Sequence, residues 1–250
     1  MSNALITAVH SMQNDLRRME TVSQNMVNIA TPGYKRAMPL ASVFIDALQA
    51  ADSAHGAGVT APGGAAPQLS SVLDLSPGPL KQTGKPWDLA IAGEGFFELD
   101  TPQGPAYTRA GDFRIDARGR LVSQSGYPVQ GLQGELLINN GGGAGAAAAI
   151  DHSGRIVQDG VTVGQLKLVR FSAPHALVKN GAGLLQATGQ QQAIEARPDL
   201  QVGFLESSNV TPMREMVSMM ETTRHFEAAQ KMFQGYDEKI SSAIQKLGQF

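Results

Sequence analysis

The chain has no cysteine. That excludes disulfides, thiolate nucleophiles and Cys-ligated zinc or iron–sulfur sites. It leaves the compartment open, because an oxidising space tolerates a thiol-free protein. Charge is also scarce: Asp, Glu, Lys and Arg are 17% of the residues, and the net charge is −2. No global basic field therefore points to nucleic acid or to an anionic membrane. No run of about 18 apolar residues occurs, so no membrane-spanning helix is expected. The opening, Met1-Ser2-Asn3-Ala4-Leu5-Ile6-Thr7, lacks a basic region and a long apolar stretch, so a cleaved secretion signal is not expected.

Sequence marks of catalysis are equally sparse. His10, His55, His152, His175 and His225 are isolated, and none falls at a short metal-ligand spacing. Gly93-Glu94-Gly95-Phe96-Phe97-Glu98 begins like a dinucleotide loop, but it has Glu where the third Gly belongs and runs into a strand. Phosphate would find no helix N-terminus there. Gly141 to Gly145 lacks the Lys-Ser/Thr of a phosphate-binding loop. Asp112, Asp116, Asp151 and Asp159 sit at turns, where a carboxylate serves nearby amides more readily than acid–base chemistry. No catalytic, cofactor or metal residue is assigned.

What is present, in 250 residues of which 42% are hydrophobic, suffices for one large domain or two small ones. The 28 Gly and 13 Pro imply many turns. From Ser2 to about Ala30 neither occurs, and Leu5, Val9, Met12, Leu16, Met19 and Met26 recur at alternating spacings of four and three, with Ser23 in the one polar slot. This heptad-like seam predicts a helix of roughly 42 Å that needs a partner helix. Thr31-Pro32-Gly33 ends it. Residues 49–79 are Gly/Pro-rich and read as an extended linker.

Residues 80–202 read as a β-rich domain of short strands and Gly turns. Leu89–Ala92, Phe96–Leu99 and the whole of Gly164–Phe171 are expected strands, the last with Leu166, Leu168 and Arg170 on one face and Lys167, Val169 and Phe171 on the other. Gly93-Glu94-Gly95, Ala117-Arg118-Gly119, Ser153-Gly154 and Asp159-Gly160 are expected turns, and residues 139–149 a low-complexity loop. At Thr211-Pro212 a second helix of roughly 55 Å begins, Thr as cap and Pro in the first turn. Its seam starts with Met213, Val217 and Met220, then slips in phase to Phe226, Ala229, Phe233, Tyr236, Ile240, Ala243 and Leu247.

The helical segments, 1–48 and 203–250, would thus flank the β domain: an α+β chain with its terminal helices pairing as a coiled coil. The Met-rich stripes, with Met216 and Met219 beside the seam, either fill an ordinary helix–helix core or face other subunits. Asn25 and Asn28 share a helix face and either cap the helix end or fix the register of a neighbouring helix.

Ser23-Gln24-Asn25-Met26-Val27-Asn28-Ile29-Ala30-Thr31-Pro32-Gly33-Tyr34-Lys35 resembles the N-terminal signature of bacterial flagellar rod and hook proteins, roughly S-x-N-x-A-N-x-x-T-x-G-(F/Y)-K, with Val27 where Ala is usual. Gly78-Pro79-Leu80-Lys81-Gln82-Thr83-Gly84 through Phe97 is similar to that family's β segment, with Trp87 where Leu is common. Tyr107-Thr108-Arg109-Ala110-Gly111-Asp112-Phe113 and Gly119-Arg120-Leu121-Val122 continue it. Gly203-Phe204-Leu205-Glu206-Ser207-Ser208-Asn209-Val210, Glu215-Met216-Val217 and Arg224-His225-Phe226-Glu227 match toward the C-terminus.

The resemblance implies a structural rod subunit, not an enzyme and without cofactor. Its partners are copies of itself, other rod proteins and the flagellar type III export apparatus, with no nucleic acid and no small-molecule substrate. It implies a place in the periplasmic rod of the basal body, reached without signal cleavage. Its expected assembly interface runs through Leu5, Val9, Met12, Leu16, Met19, Asn25, Met26 and Asn28, and through Met213, Val217, Met220, Phe226, Phe233, Tyr236, Ile240 and Leu247. Length and the unrelated segment after the first helix favour the proximal over the distal rod subfamily. The competing classes are a binding module or hydrolase with its site in the β domain, and an adaptor with a self-sufficient helical hairpin.

Overall fold

The computed structural model describes residues 2–39, 71–138, 148–172, 177–181, 183–187, 193–196 and 199–247. Most of the expected linker, most of the 139–149 loop and the side chains of Leu5, Ile240, Ala243 and Leu247 lie outside the described residues. The described chain divides into two compact units.

The first unit contains helix α1 (Ser2–Val27), the strand Ala37–Pro39 and helix α2 (Pro212–Leu247). At 1.5 Å per residue the helices run about 39 and 54 Å. Helix α2 starts where expected: Pro212 opens it, the Glu215 amide donates to Thr211 O at 3.2 Å, and Glu215 supplies the acidic charge of the first turn. The two helices pack on each other and run antiparallel. Contacts fall between Asp15 and His225, Met19 and Thr223, and Asn25 and Glu215, so positions rise along one helix as they fall along the other.

The second unit is built from 28–36 and 73–210. Its largest sheet has six antiparallel strands in the order Leu177–Lys179, Leu185–Ala187, Gly104–Thr108, Phe96–Thr101, Leu168–Arg170, Ile194–Glu195. A three-stranded sheet, Ala149–Ile150, Arg155–Gln158, Val161–Gln165, lies among the same residues' core contacts. Its second hairpin turns at Asp159-Gly160, both at positive φ (53° and 78°), the geometry that a two-residue turn of this kind requires. Two strands near the start of the unit pair with two near its end: Leu80–Gln82 with Phe204–Glu206, and Leu89–Ile91 with Leu200–Val202. Phe97, Leu89, Leu99, Leu121, Ile156, Leu166, Leu168 and Leu200 are shut away at its centre. Phe97 meets Phe113 edge to face at 5.0 Å, an arrangement favoured by the ring quadrupoles.

The expected strand Gly164–Phe171 is in fact parts of two strands. Val161–Gln165 belongs to the three-stranded sheet and Leu168–Arg170 to the six-stranded one. At the break, Leu166 N donates to Gly154 O and Lys167 N to Gln130 O, leaving neither ladder intact. Alternation fails with it, since Leu168 and Val169 are both buried and Arg170 is exposed. A central strand covered on both faces does not alternate.

Candidate assembly surface and the fastened signature segments

Burial along the helices corrects the expected seam. The sheltered positions on α2 include Glu215, Met219, Thr222, Phe226, Ala229, Phe233 and Tyr236, which keep an unbroken three-four spacing without the slip in phase; Ser218, Thr223 and Gly235 beside them are half-buried too. Glu215 and Thr222 among the earlier members of that phase are polar, which is why apolar periodicity alone pointed to Met213, Val217 and Met220 instead. Those three, with Met216 and Met232, are exposed. On α1 Met12, Met19 and Met26 are half-buried beside buried Asp15 and Val22, whereas Val9 and Leu16 are exposed. The stripe thus has two flanks, one closed by the other helix and one open to solvent.

The closed flank is notably polar. Asp15, Asn25, Glu215 and Thr222 are all buried there, with Glu215 fully so. His225 Nδ1 stands 2.6 Å from Asp15 Oδ2. Asn25 is the hub: its Nδ2 donates to Ala37 O at 2.8 Å and to Glu215 Oε2 at 3.1 Å, while its Oδ1 accepts Ala37 N at 2.9 Å. Of the two readings of this asparagine, the structure therefore has it reaching the neighbouring helix. Asn28 acts locally, its Oδ1 accepting the Thr31 hydroxyl at 3.2 Å. Buried amides and carboxylates are tolerable only when so satisfied.

In the second unit the signature segments meet one another. Gly33 takes φ +66° and donates its amide to Glu206 O at 2.7 Å; a Cβ there would strike the Ala110 backbone. Lys35 Nζ reaches Glu206 Oε1 at 2.5 Å and Ser76 O at 2.8 Å. Glu206 Oε1 also accepts Gly78 N at 2.9 Å, and Glu206 Oε2 lies 3.4 Å from Arg109 Nη1. Arg109 extends to Gly93 O at 2.7 Å. Asn209 completes the clasp, accepting Arg36 N on Oδ1 and donating from Nδ2 to Asp74 O at 2.8 Å. Burial pushes the Lys35 ammonium's pKa down, with the Glu206 carboxylate working against it, and burial lowers that of Arg109 likewise. Deleting Glu206 would strand two buried cations, a loss of about 3–5 kcal/mol.

Sequence reading quoted Lys35, Arg109 and Glu206 only as members of motifs. The available signal was their charge within otherwise apolar, Gly-rich signatures. Asp15 reads as a charge off the apolar seam and Glu215 as the acidic residue of an opening turn, so neither is expected at a buried position. The turn readings of Asp116 and Asp151 hold: each Oδ1 accepts two backbone amides, those of Arg118 and Arg120, and those of Ser153 and Arg155. Among the described residues no cluster of three metal-ligating side chains occurs, and no helix is long and apolar enough to cross a membrane.

Two terminal helices that pair with each other, and a β-rich unit knit by buried ion pairs between distant motifs, define an α+β protein whose recognisable residues serve architecture. Comparison with known proteins carries the class further. Residues 201–246 match the family described as flagellar basal body rod FlgEFG protein C-terminal, and residues 90–166 match the flagellar hook protein FlgE/F/G D1 domain. The flagellar basal-body rod protein FlgG of Bacillus subtilis is 30% identical, over 98% of this chain and 98% of its own length. FlgF of Rhizobium meliloti is 30% identical and FlgF of Salmonella typhimurium 29%, each over 99% of both chains. The chain belongs to the flagellar basal-body rod protein family.

Proposed function

We propose that the chain is a structural subunit of the flagellar basal-body rod, acting by assembly and not by catalysis. The observation that carries the reading is the open flank of the helical pair. Val9 and Leu16 on α1, and Met213, Met216, Val217 and Met220 on α2, face solvent while the closed flank buries Asp15 and Glu215. A water-soluble monomer gains nothing from that arrangement; a subunit that lays its helices against copies of itself and other rod proteins does. Heterologous, non-closing contacts of this kind build a helical shaft, and many weak contacts add to a stiff joint that transmits torque. On this reading the helices pair as a coiled coil, and the interface extends over Leu5, Met12, Met19, Met26, Phe226, Phe233, Tyr236, Ile240 and Leu247. The subunit reaches the periplasmic rod through the flagellar export apparatus without signal cleavage.

Within the family we favour the proximal rod protein. The preference rests on the chain's length and on the unrelated segment after the first helix; alignment length does not separate the two, running 251 to 267 positions against FlgF relatives and 247 to 266 against FlgG relatives. The function is tested by Leu16→Asp in a strain whose own copy is deleted. Purified variant is expected to retain the thermal transition of its β-rich unit, while isolated basal bodies lack it and the cells do not swim. A swimming strain overturns the proposal.

A further inference from the structure

Tyr34, Lys35, Arg109, Lys179, Gly183 and Leu185 line a small cavity of about 10 Å³ in the β-rich unit. Gly33 completes the lining, and three of the seven residues are cationic. One carboxylate, Glu206, answers two of them, and its oxygens are taken by Lys35, Gly78 N and Arg109. Lys179 stands apart from that pairing. Its Nζ is buried 3.9 Å above the centre of the Tyr34 ring and has no hydrogen-bond acceptor among the described residues. Arg109, 6% exposed, has its Nε in the same condition. Glu94 and Asp74 act on Arg109 and Lys35 from further away, whereas burial is the one influence on Lys179, pushing its pKa down to about 8.

A buried ammonium against a ring face keeps part of its attraction through the ring quadrupole but leaves N–H donors unanswered. Leaving such a charge uncompensated is costly, and a mobile anion removes that cost as a carboxylate would. The space sets the size of the ion. About 10 Å³ is the room that one water-sized particle needs, too little for a phosphate or a carboxylate. We propose that the cavity between Tyr34, Lys35, Arg109 and Lys179 binds a single halide-sized monovalent anion, chloride being the natural occupant. The ion completes a charge cluster whose protein members supply three cations and one carboxylate, and it ties Lys179 to the Thr31-Pro32-Gly33-Tyr34-Lys35 signature.

The test uses the full chain at pH 7 and constant ionic strength, with sodium chloride or bromide titrated against sodium gluconate. Thermal unfolding of the wild-type chain is expected to shift upward saturably, by about 3 °C at tenfold excess over the dissociation constant. Lys179→Met, which keeps the length of the side chain without its charge, is expected to lose the halide dependence while unfolding cooperatively. Bromide-soaked crystals of the wild-type protein are expected to show an anomalous peak within hydrogen-bonding reach of Lys179 Nζ. Equal unfolding temperatures of the wild-type chain in halide and gluconate overturn the proposal, as does a halide response that survives in Lys179→Met. A bromide peak absent from this cavity overturns it independently of how the variant folds.

Discussion

In the β-rich unit the side chains shut most completely from water are Phe97, Leu89, Leu99, Leu121 and Leu168, and the exposed large apolar residues are scattered over several strands and turns. In the helical unit the arrangement is nearly reversed. Glu215, Asn25, Thr222 and Asp15 are buried between α1 and α2, while Leu16, Met213, Met216, Val217, Met220 and Met232 look outward. Burying an aliphatic side chain stabilises by about 1.5–3 kcal/mol, whereas a satisfied polar contact nets about 1 kcal/mol. The β-rich unit therefore holds a self-sufficient core. The helical pair mixes buried polar groups with Val22, Ala229 and half-buried Met and Phe side chains, and its exposed apolar surface gains burial only against another chain.

The comparison is broken most directly by hydrogen exchange on the purified chain. Amides of α1 and α2 are expected to exchange roughly 100-fold or more faster than those of Phe96–Thr101, because a helix pair with little apolar burial opens locally at low cost. Equal protection in both units would falsify the idea that the helices await partners. A matched pair of truncations follows. Phe97→Ala, at a fully buried ring that meets Phe113 edge to face, is expected to cost about 3–5 kcal/mol of stability by denaturant titration. Met220→Ala, 55% exposed, should stay within about 0.5 kcal/mol in the monomer and yet weaken incorporation into the rod.

Asn25→Ala probes the directional bonds. It removes the contacts with both backbone groups of Ala37 and with Glu215 Oε2, an expected loss of about 1–3 kcal/mol confined to the helical unit. A far-ultraviolet melting curve unchanged by this substitution counts against the polar seam. The smallest effect belongs to Asp151. Burial pushes its carboxyl up, but hydrogen bonds from Ser153 and Arg155 outweigh it and hold the pKa at about 2, below the ordinary 3.8. Since the folded value is depressed, the stabilisation is present above about pH 4 and fades as pH falls toward 2. Asp151→Asn should melt below wild type at pH 5, by a margin that closes between pH 4 and pH 2. The group is 35% exposed, so solvent screening keeps that margin small.

Local chemistry made several elements legible in advance. Thr211-Pro212 marked the start of α2, the Gly- and Pro-free stretch from Ser2 marked α1, and Asp159-Gly160 marked a turn, which the structure makes a hairpin. Each depends on backbone preferences that neighbouring residues fix. The phase of the helices was not legible in the same way, because apolar periodicity identifies a stripe without saying which flank a partner closes. Glu215 and Asp15 broke the apolar pattern at the very positions that are buried. Gly164–Phe171 misled for a related reason: alternating residue types described one strand, while pairing with two different sheets cut it at Leu166-Lys167.

By itself the sequence determined the class of the chain, its terminal helices, its β-rich middle and the family to which its motifs belong, since these follow from propensity, turn chemistry and ordered short signatures. Tertiary structure alone decided what those signatures do. Lys35 and Glu206 stand 171 positions apart, and Asn25 and Glu215 stand 190 apart. No local preference encodes a pairing over such separations. Only packing brings the charges together, and only in a buried setting, where water no longer answers them, does their pairing become a condition of the fold.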